Sequence, residues 1–239
     1  MREKIIVFLS FFIILSSMAE PISLWHADGN AIDSVGGNSG TLQNGASYTT
    51  GKFGMAFSMD GLDDYITTST TNLPIGTQAR SISIWFKTNT SNKEMYMFAY
   101  GTISSGAAFG FGILAGNLMI TQCGQNLNAG FVADNQFHHG VVTYSANTYR
   151  LYVDGNLVGS NSMSTNTQTS TLAYIGAAST GCHFQGLLDE ISIYDYAMTS
   201  QQVSALYNSI PSVPEISSLG MILLFSFFFF CKSLKGKKI

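Results

Sequence analysis

Glycosidic-bond hydrolysis needs two carboxyl groups across the scissile bond, about 5–5.5 Å apart in retaining enzymes and farther in inverting ones. Between residues 20 and 215 the only glutamates are Glu20, Glu94, Glu190 and Glu215, and Glu20 and Glu215 stand at the ends of that segment. Asp189 and Glu190 are neighbours, and neighbours on a strand face opposite sides of a sheet. The same rule separates His138 from His139, so a regular strand cannot aim both at one ion. The simpler reading places this pair at the start of a core strand. His26 and His183 have no partner at ligand spacing, and no serine lies in a recognisable nucleophile elbow. The residues that could do chemistry therefore point away from an enzyme and toward binding.

Charge narrows the partners. Only 10% of the 239 residues are charged, against roughly 25% in an average soluble protein, and the mean hydropathy is +0.20. Residues 20–215 carry thirteen acids against five bases, Lys52, Arg80, Lys87, Lys93 and Arg150. Nucleic-acid binding needs a basic footprint to neutralise phosphates, so that class is excluded. A segment of this length suits one all-β domain with a sizeable core.

The hydrophobic excess lies at the ends. Arg2 and Lys4, the apolar run Ile5–Leu15 and the small-x-small triplet Ser17-Met18-Ala19 have the form of a signal peptide over residues 1–19. At the other end, Ile210-Pro211-Ser212-Val213-Pro214-Glu215 reads as a linker, followed by the apolar run Ile216–Cys231 and a tail with Lys232, Lys235, Lys237 and Lys238. An apolar stretch with a basic C-terminal flank stops in a membrane with its positive end inside. Residues 213–239 resemble the PEP-CTERM sorting signal of Gram-negative bacteria that export polysaccharide, with Ile216 where that motif has its second proline. The resemblance implies an exosortase-like processing enzyme as a partner; a plain C-terminal anchor is the alternative. Either way the expected location is secreted or at the cell envelope, membrane-anchored through the C-terminus transiently or permanently.

The elements in between must position any site. Ser81–Lys87, Gly140–Tyr144 and Leu187–Tyr194 read as strands rich in β-branched and aromatic residues. Tyr149–Val153 and Leu157–Ser160 flank Asp154-Gly155-Asn156, a strong hairpin signal because the turn needs positive φ. Thr199-Ser200-Gln201-Gln202 fits a capping box, predicting one short helix that packs Ala197, Val203, Leu206 and Tyr207 inward. Many short strands and one late helix predict a β-sandwich.

Several blocks, in order, resemble bacterial laminin-G-like, concanavalin-A-like jelly-roll domains. They include Leu24-Trp25-His26-Ala27-Asp28-Gly29, the stretch Gly51–Ile66, Ile82-Ser83-Ile84-Trp85-Phe86, Phe137–Tyr144, Arg150–Gly155, Tyr174-Ile175-Gly176 and Phe184–Tyr194. The resemblance spans residues 24–208 and implies an all-β, two-sheet antiparallel jelly-roll β-sandwich with one short C-terminal helix, occupying residues 20–210, with 211–239 as linker, short transmembrane segment and basic tail. Jelly-roll glucanases of this shape carry a Glu-x-Asp-x-Glu spacing, which is absent here. The resemblance also implies a structural calcium joining the chain start to the last strand, through Asp28 and Asp189. Asp33, Asp60, Asp63 and Asp64 are further acidic loop positions, each also explicable as turn chemistry. Once exported, the domain keeps two cysteines, Cys123 and Cys182, where a disulfide is chemically possible. Sugar sites combine aromatic platforms with amide and hydroxyl groups, for which Tyr96, Phe98, Tyr100, Phe109, Phe111 and Gln122–Asn128 are candidates, each equally explicable as core or turn. The expected function is an exported, non-enzymatic module recognising carbohydrate at the bacterial envelope or matrix. The alternatives are a structural or adhesion protein contacting other proteins and a divergent glycanase in which Glu190 would act.

Overall fold

Alternation of apolar and polar residues, interrupted every few residues by Gly, Asn and Asp turns, produces fifteen strands and one helix among the described residues. They are β1 (Ser23–Trp25), β2 (Thr41–Gln43), β3 (Ser47–Thr50), β4 (Met55–Asp60), β5 (Tyr65–Ser69), β6 (Arg80–Lys87), β7 (Glu94–Gly101), β8 (Ala108–Leu114), β9 (Asn117–Thr121), β10 (Asn126–Phe131), β11 (Phe137–Ser145), β12 (Thr148–Val153), β13 (Asn156–Ser162), β14 (Leu172–Ile175), β15 (Gln185–Tyr194) and α1 (Ser200–Asn208). The structure is a computed structural model and describes residues 20–209. The segments read above as a signal peptide (1–19) and as linker, apolar run and basic tail (211–239) lie outside the described residues. Among the described residues no helix is long and apolar enough to cross a membrane.

All pairings between these strands are antiparallel. Sheet A runs β13-β12-β11-β6-β15-β4-β3, with β1 added on β15; sheet B runs β10-β9-β8-β7-β14-β5-β2. The sheets share one apolar core that includes Trp25, Phe57, Phe86, Phe98, Phe111 and Ile193. This is the expected jelly-roll sandwich, and β6 is the central strand, buried on both faces between β11 and β15. The β12–β13 hairpin closes through Asp154 (φ 50°) and Gly155 (φ 78°), the double positive-φ turn that an Asp-Gly pair predicts.

The helix forms where the capping box places it. The Thr199 N–H donates to Gln202 Oε1 at 2.9 Å, and the Gln202 N–H donates to Thr199 Oγ1 at 3.2 Å. Val203 and Met198 pack on Val141, Tyr152 and Tyr194 of sheet A, with Leu206 partly buried beside them; Ala197 is only half-buried.

One buried acid organises the chain start. Asp33 Oδ1 accepts the N–H groups of Leu24, Val35 and Gly36, and Oδ2 accepts that of Asn38, all at 2.9–3.0 Å. Burial opposes its charge, but the four backbone donors outweigh burial and hold its pKa below the usual value. Its contribution to stability is thus present above the ordinary aspartate pKa and fades as pH falls through the lowered one. Asp33→Asn is expected to destabilise the domain by about 2 kcal/mol at pH 7. Urea melts from pH 7 to pH 2 should show the gap from wild type narrowing at the acid end.

Candidate functional site

The outer faces of the two sheets receive the side chains that the core rejects, and they differ. On sheet A, register aligns His139, Trp85 and Asp189 in one row across β11, β6 and β15. Tyr207 of α1 stacks on Trp85 with ring centroids 5.6 Å apart, Phe53 meets its edge at 5.6 Å, and Lys52 Nζ lies 4.7 Å above it. His139 Nε2 is 2.7 Å from Ser83 Oγ, and burial pushes its pKa down to about 4, so it is a neutral, structural imidazole. This face is covered.

Asp189 is wholly buried beneath the turn joining β3 to β4. Its Oδ2 accepts the N–H groups of Lys52 at 2.8 Å and Phe53 at 3.0 Å, while its Oδ1 has no hydrogen-bond partner. Burial, with the Glu190 charge adding to it, pushes its pKa up to about 7. Asp28 braces the same turn, its Oδ1 accepting the Met55 N–H at 2.8 Å. Strand alternation fails locally: Glu190 has φ 47° within a register shift of β15, and its carboxylate lies 3.0 Å from His26 Nδ1. That hydrogen bond raises the pKa of His26, whose ring also feels Asp28 and Asp189. The structure thus gathers Asp28, Asp189, Glu190 and His26 where β1, β15 and the β3–β4 turn meet.

The remaining acidic positions divide. Asp33 is the loop organiser described above. Asp60, Asp63 and Asp64 come together with ligand atoms within 4.8 Å of one another, yet Asp64 already accepts the N–H groups of Gly45 and Asp60. His138 points away from His139, as alternation requires. Its Nδ1 is 2.8 Å from Asp154 Oδ2 and its Nε2 3.1 Å from Asp134 Oδ1, with the Phe86 ring alongside.

Sheet B presents an open face. Register places Thr67, Tyr174, Ala99, Gly110 and Thr121 in one row across β5, β14, β7, β8 and β9. Ala99 and Gly110 form a small-residue floor between Tyr174 and Thr121. The result is a shallow, solvent-open hollow, its rim completed by Tyr96, Ile103, Cys123 and Ala178–Thr180. The Tyr96 ring lies directly over Gly110, where a Cβ would stand 2.4 Å from Tyr96 Cε1. Its phenol donates to Glu94 Oε1, and burial with that hydrogen bond pushes the phenol pKa up.

Of the aromatic candidates only Tyr96 offers its side chain to this hollow. Phe98 and Phe111 are fully buried, and Tyr100 and Phe109 border the hollow while belonging to the core. A register shift between Tyr96 and Phe98 turns the strand by one residue, so Phe98 faces inward although it follows Tyr96 by two. Gln122 is buried, while Asn126 and Asn128 lie on the edge strand β10. Sequence reading missed Tyr174, Gly110 and Thr121 as lining; the alternation of Gly110 and Gly112 with Phe109 and Phe111 was the available signal. Cys123, half-buried, and Cys182, exposed, carry free thiols in this structure. The Cys182 carbonyl accepts the Tyr96 N–H at 3.0 Å, and burial together with the Glu94 charge raises the pKa of both thiols.

Two stacked antiparallel sheets with a terminal helix and an open outer face define a jelly-roll sandwich of the concanavalin A-like type. The sequence profile of the laminin-G branch of the concanavalin A-like lectin/glucanases superfamily matches residues 60–204, and the chain belongs to that superfamily. No curated protein sequence matches the chain. Among solved structures it is similar to domain 4 of AbnA, a GH43 extracellular arabinanase from Geobacillus stearothermophilus, in complex with arabinotriose. The likeness has 20% identity, covers 80% of this chain and 99% of that one, and has a TM-score of 0.67. It is also similar to the botulinum neurotoxin serotype D binding domain (15% identity, TM-score 0.63) and to the binding domain of Paraclostridial Mosquitocidal Protein 1 (14%, 0.62). Each likeness covers 78% of this chain, which spans about half the length of those toxin domains, 51% and 52%. At these identities the likenesses establish the fold. Carbohydrate-binding and receptor-binding domains are thus among the structural neighbours.

The doubly held His138 has a pH signature. Burial opposes its charge, but hydrogen bonds to Asp154 and Asp134 outweigh it and raise the pKa above 6.5. Its stabilisation is therefore complete below pH about 6.5 and lost as pH rises through the raised value. The melting-temperature difference between wild type and His138→Gln should shrink between pH 6 and pH 8.5.

Proposed function

We propose that this chain is a non-enzymatic binding module whose ligand is carbohydrate, held in the hollow on the outer face of sheet B. The observation that carries the reading is the Tyr174–Ala99–Gly110–Thr121 row, a small-residue floor between an aromatic ring and a hydroxyl on a face that α1 does not cover. A sugar's apolar face packs on an aromatic ring while its hydroxyls need polar partners, and the hollow supplies both. The similar arabinanase domain is in complex with arabinotriose, which supports the ligand class. No carboxylate lines the hollow, and glycoside hydrolysis needs a pair; the binding role is therefore preferred to catalysis. The terminal segments 1–19 and 211–239 favour export to the cell envelope. A glycan array is expected to return hits for wild type. Gly110→Leu, whose side chain would push the Tyr96 ring from its place over Gly110, and Tyr174→Ala should each weaken the best hit about tenfold or more, roughly 1.4 kcal/mol. A blank array would refute the reading.

We propose further that Asp189 and Asp28 hold a structural calcium. Calcium takes carboxylate and carbonyl oxygens at irregular turns, and Asp189 Oδ1 is a buried carboxylate oxygen without a partner beside the turn that Asp28 also braces. Bound there, the ion would offset the buried charge and tie the chain start to the last strand. Calcium is expected to raise the melting temperature of wild type and to leave that of Asp189→Asn unmoved. Asp33→Asn, destabilised elsewhere, should keep the calcium response.

A further inference from the structure

The proposed sugar site also has a charge, and its residues say what kind of sugar it takes. None of the hollow's lining residues is charged. Among the described residues the five bases are engaged or placed elsewhere. Arg80 is buried and hydrogen-bonded to Tyr100, Thr167, Gly76 and Gln78. Lys52 lies over Trp85 and Lys87 over Phe137, both on strands or turns of sheet A, and Arg150 is on β12 of that sheet. Lys93 Nζ donates to the Gly61 carbonyl at 2.8 Å.

The charge that does reach the hollow is negative. Glu94, the first residue of β7, accepts the Tyr96 phenol. Its field is felt at the Tyr96 hydroxyl and at the thiols of Cys123 and Cys182, groups on β7, β9–β10 and the segment before β15, with Lys93 opposing it at Cys182. The same hydrogen bond holds the Tyr96 ring beside Gly110, where the missing side chain leaves room for it.

Resting on the carbohydrate reading above, we infer that the hollow takes an uncharged glycan, that Tyr96 is its second stacking platform, and that Glu94 is the positioning residue that sets this platform and rejects acidic sugars. A uronate or sialate would bring a carboxylate toward Glu94, whose neighbouring cation Lys93 is already held by the Gly61 carbonyl, and like charges at such sites are repelled. A neutral pyranose or furanose meets no such cost, and its hydroxyls find Thr121, Ser179 and Thr180 on the rim.

The test is isothermal titration of the full-length chain with neutral trisaccharides (arabinotriose, xylotriose, cellotriose) and with trigalacturonate, at low and at physiological salt. Wild type should bind at least one neutral trisaccharide, with trigalacturonate about tenfold or more weaker and the gap widest at low salt. Glu94→Gln keeps an acceptor for the Tyr96 phenol and removes the charge. Its readout is the ratio of neutral to acidic affinity, which should fall severalfold as trigalacturonate comes closer to the neutral sugars. Tyr96→Phe, which keeps the ring and loses its anchor, should weaken the neutral ligand severalfold with the neutral-to-acidic ratio kept; this second variant needs no substitution at Glu94. Trigalacturonate binding as tightly as the neutral sugars, or a ratio unmoved in Glu94→Gln, would overturn the inference and leave the carbohydrate reading standing. Failure of every saccharide, neutral and acidic, would overturn both.

Discussion

The dry interface between the two sheets is the constraint on which everything else in this molecule depends. Each strand must give one side to the shared core, so the other side is released, and the outward positions of sheet A and sheet B become two separate surfaces. Trp25, Phe57, Phe98, Phe111 and Ile193 occupy the interface; burying apolar area there is the dominant favourable contribution to folding. Outward positions carry no such obligation and are free to differ.

They differ because only one surface has a cover. The capping box starts α1 directly after β15, and its apolar side lies on Val141, Tyr152 and Tyr194. Tyr207 and the β3–β4 turn then cover Trp85 and His139. Polar groups caught underneath must be neutral or paired, which is the condition of His139 against Ser83 and of one oxygen of Asp189. The other oxygen of Asp189 lacks a partner, as do His139 Nδ1 and Thr143 Oγ1, and a buried polar atom left unpaired is costly. Sheet B has no such helix. Its outward row is small at Ala99 and Gly110 and aromatic at Tyr174, which leaves a hollow where sheet A has a packed layer.

Much of this was legible because much of it is local. An Asp-Gly turn needs positive φ and has it; Thr199 and Gln202 are three residues apart and cap one another; His138 and His139 are neighbours and face apart. Asp28 and Asp189 are expected as calcium ligands joining the chain start to the last strand; the structure places the carboxylate of each against backbone N–H groups of the β3–β4 turn and its end. The misreadings fall where a strand departs from period two. The irregularity between Tyr96 and Phe98 separates two aromatics that alternation would put together. The positive φ of Glu190 swings its carboxylate onto His26.

Short-range periodicity, turn chemistry and composition dictate the sandwich, the hairpins, the helix and the absence of a basic surface between residues 20 and 215. Tertiary structure alone decided which aromatics face solvent, which carboxylate oxygen is left unpaired, and that Glu94 stands behind Tyr96 at the edge of an uncharged hollow. Those outcomes hinge on single-residue shifts of register and on strands far apart in sequence meeting side by side, and neither leaves a local trace in the order of residues.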